Sequence, residues 1–358
     1  MSPTTAPHRR APARPTPGCI LLLRPSALGD VCRTVPCLVS LRRAYPQARI
    51  DWLVQEGFEA AVAAHPDLSG VVTFPKNAIK SGLGRLRPGA ALAFARTLRR
   101  GHAGEPYDAV YDLQGLARSG VMAALTRAGH RVGFSDAREL GWLGYTNSYL
   151  VPEGHTVDRM LGLLEADGVP APREPDSLAQ AMRLHTAPAD REWAQSLGLG
   201  RVAVLAPTSR WPGKQWPADR FATLARALLR QGRVDRVAVV GGRFERGACG
   251  PLLSLGEGVA DLVGHTTIGQ LMALVEASRL VVANDSAALH MAVGFDRPLV
   301  ALFGPTRIDR VGPYRRDADV VQHVTAADVL DHKNEAAGRA LMERITVDEV
   351  VERALARL

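Results

Sequence analysis

Short aliphatic runs alternate along this chain with longer stretches in which apolar residues recur at helical spacing. In the first half the runs fall at 20–23, 50–54, 71–74, 109–112 and 131–134. In the second half they fall at 202–206, 236–240, 261–263, 280–283 and 299–303. Helical patterns lie between most of them, as at 35–43, 218–230 and 268–277. Strands without polar alternation are covered on both faces, so this order predicts an α/β chain of parallel sheets flanked by helices.

A length of 358 residues, 46% of them hydrophobic, suits two such domains rather than one. The stretch 170–188, rich in Pro, Ala and charge, is the expected linker. We place the first domain at 18–175 and the second at 176–340. The final segment, 341–358, reads as a closing amphipathic helix, with Thr346 as N-cap and Glu349 completing a capping box. Residues 1–17 carry Pro, Thr and Arg and no apolar core of a secretory signal, so a disordered extension is expected. With no apolar run long enough to span a bilayer, a cytoplasmic location is expected.

The charge is +8, and its placement matters more than its size. Between positions 76 and 104 stand Lys76, Lys80, Arg85, Arg87, Arg96, Arg99 and Arg100, with no acidic residue. A block of one sign suits an anionic partner or a solvated helix face. No nucleic-acid motif accompanies it, so nucleic acid is not an expected partner. Cys19, Cys32, Cys37 and Cys249 form no C-x-x-C pair and no Cys/His cluster of zinc spacing, and are read as small buried residues.

Ligands of doubly wound sheets bind beyond the carboxyl ends of the strands, which directs attention to the residues after each run. After the first comes Arg24-Pro-Ser-Ala-Leu-Gly-Asp30. Asp30 is either a helix cap or a carboxylate that faces a cleft and takes a proton. Neither a dinucleotide-binding G-x-G-x-x-G at this turn nor a P-loop anywhere is present. In the second half, Thr208, Ser209 and Lys214 follow a strand and offer hydroxyls and a point charge suited to a diphosphate. Gly241-Gly242 allows close approach of a ligand, and Glu245 offers a carboxylate to ribose hydroxyls or to a helix start. Asn284-Asp285-Ser286-Ala287 ends a buried strand and opens a helix whose free amides suit a pyrophosphate. His290 lies one turn in and on local sequence reads as an ordinary core histidine. The string Asp317-Ala-Asp319 matches a metal-binding D-x-D by spacing but is read as chance.

Taken in order, these residues resemble glycosyltransferase family 9, the bacterial lipopolysaccharide heptosyltransferases. The shared pattern runs through Gly29-Asp30, Thr34-Val-Pro36, Trp52-Leu-Val-Gln-Glu-Gly-Phe58, Tyr107-Asp-Ala-Val-Tyr-Asp-Leu-Gln-Gly-Leu116, Thr208-Ser209, Lys214, Asp285-Ser-Ala-Ala-Leu-His290 and Phe303-Gly-Pro-Thr306. The stretches 52–58 and 112–116 look most like the heptosyltransferase I branch, which adds the first heptose to Kdo. The resemblance implies a GT-B fold of two facing Rossmann-like domains, acceptor domain first and donor domain second. It implies inverting transfer with no bound metal and no cofactor, a nucleotide sugar such as ADP-heptose serving as co-substrate.

On that pattern Asp30 is the general base, and Thr208, Ser209 and Lys214 hold the diphosphate. Glu245 contacts the ribose and Thr266 lies beside the adenine. Asp285 holds the sugar, Ser286 and Ala287 the pyrophosphate, and His290 supports the loop. Arg24 stands near the acceptor, with Lys76, Lys80, Arg96, Arg99 and Arg100 as a surface for an anionic glycolipid at the cytoplasmic face of the inner membrane. Two departures touch the donor loops. Trp211-Pro-Gly213 lengthens the loop before Lys214, and Asp285-Ser-Ala287 replaces Asp-Thr-Gly. Three other readings stay open: a family member with another donor building a different surface glycan, a GT-B sugar-nucleotide epimerase, and a nucleotide-sugar binding module without catalysis.

Overall fold

A computed structural model describes residues 16–84, 88–101 and 104–358. Most of the expected N-terminal extension, and Arg85 and Arg87 of the basic block, lie outside the described residues. The first half runs β1 (Cys19–Leu23), α1 (Leu28–Ala44), β2 (Arg49–Gln55), β3 (Gly70–Phe74), α2 (Lys76–Gly84), α3 (Gly89–Arg100), β4 (Ala109–Asp112), α4 (Ala117–Thr126), β5 (His130–Phe134), β6 (Asn147–Tyr149) and α5 (Thr156–Ala166). Helices α6 (Pro175–Ala181) and α7 (Pro188–Ser196) lead into the second half. There the order is β7 (Val202–Ala206), α8 (Ala218–Arg230), β8 (Arg236–Val239), α9 (Gly250–Leu253), β9 (Val259–Asp261), α10 (Ile268–Ala277), β10 (Leu280–Asn284), α11 (Ala287–Gly294), β11 (Leu299–Leu302), α12 (Ile308–Val311), β12 (Val320–Val321), α13 (Glu335–Glu343) and α14 (Val347–Ala356).

The strands form two six-stranded parallel sheets, ordered β3-β2-β1-β4-β5-β6 and β12-β11-β10-β7-β8-β9. Each is a doubly wound sheet, with its order reversing beside β1 in one and beside β7 in the other. At such a reversal the loops after neighbouring strands diverge and leave a crevice. The central strands are buried along their length, Ile20–Leu23 and Val202–Leu205 among them. One contiguous apolar core continues from the first sheet through α1 and α11 into the second.

Several local outcomes differ from the reading of the sequence. Helix α1 begins at Leu28, well before 35, and carries Pro36 in its interior. Burial of Val31, Cys32, Val35 and Leu38 outweighs the hydrogen bond that proline removes. The strand expected at 261–263 lies at Val259–Asp261, while Val263 is buried in the turn beyond it. The segment 170–188 is more than a connector: α6 packs on α1, and Leu178, Ala181, Met182 and Leu184 are buried. The last helix starts after Thr346, whose hydroxyl accepts the Glu349 N–H, and it packs on α8.

The two halves meet on both sides of the crevice. On one side α1 packs along α11. On the other, the start of α5 grips the loop around α12. Thr156 Oγ1 donates to Arg310 O at 2.9 Å, His155 Nε2 lies 3.0 Å from Gly312 O, and Tyr314 OH donates to Asp158 at 2.5 Å. Glu153 pairs with Arg310 across the same seam.

Candidate active site

Asp30 stands in the first turn of α1, on the crevice side of the first sheet. Its Oδ2 accepts the Ala27 N–H at 3.2 Å and lies 3.1 Å from Arg24 Nη2, while Oδ1 pairs with Arg33 one turn along the helix. Both arginines are buried, at 8% and 6% side-chain exposure, whereas Asp30 keeps 23% and remains open to a ligand. Burial pushes the carboxyl upward, but Arg24, Arg33 and the Ala27 amide together hold it well below the usual carboxylate range.

Two hollows meet at this carboxylate. The larger, about 500 Å³, lies between the sheets, with Gly29, Asp30 and Arg33 on one wall and the loops after β7, β8, β9 and β10 on the other. The smaller, about 300 Å³, lies on the first-sheet side and is lined by Arg24, Asp30, Gln114, Arg138 and Arg159. Asp30 lines both. A carboxylate shared by two adjoining hollows is placed to act on a bond formed between their occupants.

The second-sheet wall is built by cross-links between strand ends. Buried Asn284, the last residue of β10, donates to Pro207 O at 2.7 Å and accepts the Trp216 N–H at 3.1 Å, tying the loop after β7 to β10. Ser209 Oγ donates to Asp285 O at 2.9 Å. Lys214 Nζ lies 2.6 Å from Asp285 Oδ2, and both side chains are largely buried. Lys214 closes a short turn, Pro212–Lys214, that packs on α13. Gly213 and Gly338 of α13 pack backbone to backbone, so closely that a Cβ on Gly338 would stand 2.5 Å from Gly213 O.

Thr208 Oγ1 donates to Glu245 Oε2 at 2.9 Å, and the Gly242 N–H reaches the same oxygen at 2.5 Å. No bond to Oε1 is found among the described residues. Ser286 is the N-cap of α11 in an extended conformation, and its buried hydroxyl has no partner among the described residues. The first amides of α11 therefore border the crevice with their donors uncommitted by the helix itself. Burial, reinforced by the charge of Arg33, pushes His290 well below the ordinary imidazole value and keeps it neutral. Thr266 lines the crevice beside Thr267, which caps α10 in a reciprocal pair with Gln270.

The structure thus brings Asp30, Thr208, Ser209, Lys214, Glu245, Thr266, Asp285, Ser286, Ala287 and His290 to one crevice, and Arg24 to the adjoining hollow. It does not bring Lys76, Lys80, Arg96, Arg99 or Arg100 there. Those five lie exposed on α2 and α3 and line neither hollow. Arg33, Arg138, Arg159 and Arg210 are among the lining residues that reading the sequence missed, while Gln114 lies in the stretch 107–116 noted for its resemblance but given no role. Of the four, Arg33, three positions after Asp30 on a helix, had a local signal. Asp319 pairs with Arg316 and Arg357, and among the described residues no group of His, Cys, Asp and Glu is arranged to hold a metal ion. All four cysteines are buried and unpaired, and burial raises the Cys32 and Cys249 thiols to about 12 and about 11.

Two doubly wound sheets facing a crevice, with a carboxylate on one wall and a lysine and helix-start amides on the other, have the architecture of a GT-B glycosyltransferase. The sequence profile of glycosyltransferase family 9 (heptosyltransferase) matches residues 91–337, and the chain belongs to that family. Lipopolysaccharide heptosyltransferase 1 of Pseudomonas aeruginosa is 31% identical over 304 residues, covering 83% of this chain and 81% of that protein. Lipopolysaccharide heptosyltransferase 2 of Escherichia coli is 26% identical over 86% of this chain and 88% of its own. Two solved structures share the fold. A family 9 glycosyl transferase from Veillonella parvula superposes with a TM-score of 0.79 at 23% identity, covering 95% and 97% of the two chains. An Escherichia coli heptosyltransferase solved with ADP gives 0.74 at 22% identity, covering 95% and 100%.

Proposed function

We propose that this enzyme is an inverting, metal-independent heptosyltransferase that moves a heptose from ADP-heptose to the Kdo region of an anionic lipopolysaccharide precursor. The observation that carries the reading is Asp30 lining both hollows. The larger takes the nucleotide sugar and the smaller the acceptor. Relatives named lipopolysaccharide heptosyltransferases support the acceptor class. Escherichia coli structures solved with ADP and with ADP-2-deoxy-2-fluoro heptose support the donor.

In this reading the acceptor hydroxyl attacks the anomeric carbon as the bond from that carbon to the diphosphate breaks. Asp30 accepts the hydroxyl proton. The negative charge that develops on ADP is met by Lys214 and by the first amides of α11, groups already in position before reaction. Lys214 is shared between Asp285 and the diphosphate, which leaves Asp285 to hold sugar hydroxyls. Glu245 holds the Thr208 loop through Oε2 and offers Oε1 to the ribose. Thr266 stands beside the base. Arg24, Arg138 and Arg159 give the acceptor hollow its positive lining, suited to carboxylate or phosphate. The exposed basic residues of α2 and α3 face the rest of an anionic glycolipid at the cytoplasmic face of the inner membrane.

The test is transfer itself. Incubation with ADP-heptose and a delipidated Kdo acceptor is expected to yield product with inverted anomeric configuration in the presence of a chelator. Product from UDP- or GDP-sugars alone would reject the donor, and conversion of the donor without acceptor would make the enzyme an epimerase.

A further inference from the structure

The 3-10 turn Arg138–Gly144, between β5 and β6, presents an apolar surface that no element among the described residues covers. Leu140 and Leu143 are each 63% exposed, and Trp142 is 44% exposed. Val121, on the adjoining helix α4, is also exposed. Single exposed apolar residues are ordinary, but three within four positions on one turn are not.

This surface is held rather than loose. The turn and α4 make the most extensive contact of any two elements among the described residues. Glycines make it possible: a Cβ on Gly120 would stand 2.1 Å from Gly141 O, and one on Gly144 would stand 2.0 Å from Gly120 O. With backbone laid on backbone, the turn's larger side chains have no room beneath it and point away. Leu140 adopts φ 63°, a left-handed conformation that costs a leucine energy and is kept only where the surroundings impose it.

Two neighbours indicate what the turn meets. Arg138, its first residue, lines the acceptor hollow, so an acceptor leaving that hollow passes beside the turn. Helix α3 also packs on α4, with Arg96, Arg99 and Arg100 exposed in its last turn and a half. Trp and Leu flanked by Arg match the interface of an anionic bilayer: aromatic and aliphatic groups among the upper acyl chains, guanidinium groups on the phosphates.

We propose that the turn 138–144 inserts into the interfacial zone of an anionic membrane, with the end of α3 held on the headgroups, and so sets the acceptor hollow at the bilayer surface. This rests on the acceptor being an anionic glycolipid. It adds that the enzyme recognises the membrane itself, through Leu140, Trp142 and Leu143, which line neither hollow.

The experiment is flotation of the full chain with vesicles of phosphatidylcholine alone or with one third phosphatidylglycerol. The unaltered enzyme is expected to float with the anionic vesicles, with part of its tryptophan emission quenched by lipids brominated near the headgroup. Leu140→Ser, Trp142→Ser and Leu143→Ser combined are expected to lower binding about tenfold or more and to abolish that quenching. Arg96→Glu with Arg99→Glu and Arg100→Glu is expected to remove the preference for anionic lipid. Should the apolar triple variant lose its circular dichroism, Leu143→Glu alone serves the same comparison.

Turnover of a delipidated acceptor is expected to be unchanged in the apolar variants and to fall when the acceptor is embedded in vesicles. Variants that float as well as the unaltered chain overturn the proposal. So does sedimentation as a dimer that these substitutions dissolve, which would assign the turn to a second copy of the chain. Vesicle binding without turnover of any acceptor would instead reject the glycosyl-transfer reading and leave the membrane contact standing.

Discussion

Gly29 and His290 meet across the crevice with no room between them: a Cβ on Gly29 would stand 2.6 Å from His290 Cδ2 and 3.6 Å from Ala287 Cα. This contact sets the gap between the first turn of α1, which carries Asp30, and the first turn of α11, which carries the amides. Gly29→Ala is expected to push the two turns apart. Overpacking of this size costs about 1–3 kcal/mol, and turnover is expected to fall far more than ADP affinity. Thermal melts and steady-state kinetics on the same preparation check both parts.

Asp30→Asn keeps the shape of the side chain and removes its capacity to take a proton. Turnover is expected to fall by roughly 10²–10⁴, while ADP binding, measured by titration calorimetry, stays within about twofold, on the order of 0.4 kcal/mol. Equal loss of binding and turnover would show that Asp30 holds the crevice together rather than accepting the proton.

Lys214→Ala removes the charge that balances the leaving diphosphate and leaves Asp285 without its cation. A charge-assisted contact of this kind is worth about 1.5–3 kcal/mol, so ADP affinity is expected to weaken by roughly 10- to 100-fold. Combining it with Asp285→Asn is expected to recover part of the loss in binding, since the unpaired carboxylate would no longer repel phosphate, but not the loss in turnover. A double-mutant cycle on ADP dissociation constants reads this directly.

The pH dependence has a definite sign. Asp30 is held below the usual carboxylate range, so it stays charged through neutral and mildly acidic pH. Its ion pairs stabilise the fold above the ordinary carboxylate pKa and are lost only as pH falls through the lowered folded value. The acidic limb of turnover is therefore expected below the usual range. Arg33→Gln removes one of the two guanidinium groups and is expected to shift that limb upward, toward ordinary carboxylate behaviour. A pH–rate profile of both enzymes, in which the limb does not move, would exclude Arg33 as the cause.

Asn284→Ala tests the wall rather than the chemistry. It strands the Trp216 N–H and the Pro207 carbonyl, both satisfied by one buried amide. The expected destabilisation is about 1–3 kcal/mol, visible in denaturant unfolding, with weaker ADP binding because the loop carrying Thr208 and Ser209 loses its tether.

Much of this arrangement is written in local patterns. The strands at 109–112 and 202–206 and the helices at 218–230 and 268–277 coincide with the observed elements, because each is a continuous apolar run or a full amphipathic repeat. β6 and β12 escaped notice: Asn147-Ser-Tyr149 has no apolar run, and Val320-Val321 is too short to stand out. Residues 170–188 read as a linker because their prolines dominate the composition, yet α6 buries Leu178 and Ala181 against α1. The second-sheet wall was legible because it comprises strand ends followed by short motifs. The first-sheet hollow was legible in part, through Arg24, Asp30 and the stretch 107–116 that holds Gln114. Arg138 and Arg159 follow β5 and lie within α5, and no spacing along the chain links them. The exposed basic block drew attention through density of charge, a property of surfaces as much as of sites.

The matching order of strands in the two sheets has a consequence for redesign. The polar residues proposed to hold the donor stand on loops and first turns of one sheet, and most of those proposed for the acceptor on loops and first turns of the other. Exchange of loops on one sheet is therefore expected to alter the choice of sugar nucleotide while leaving the hollow on the other sheet unchanged. Asp30, which lines both hollows, is the side chain that any such exchange has to keep in place.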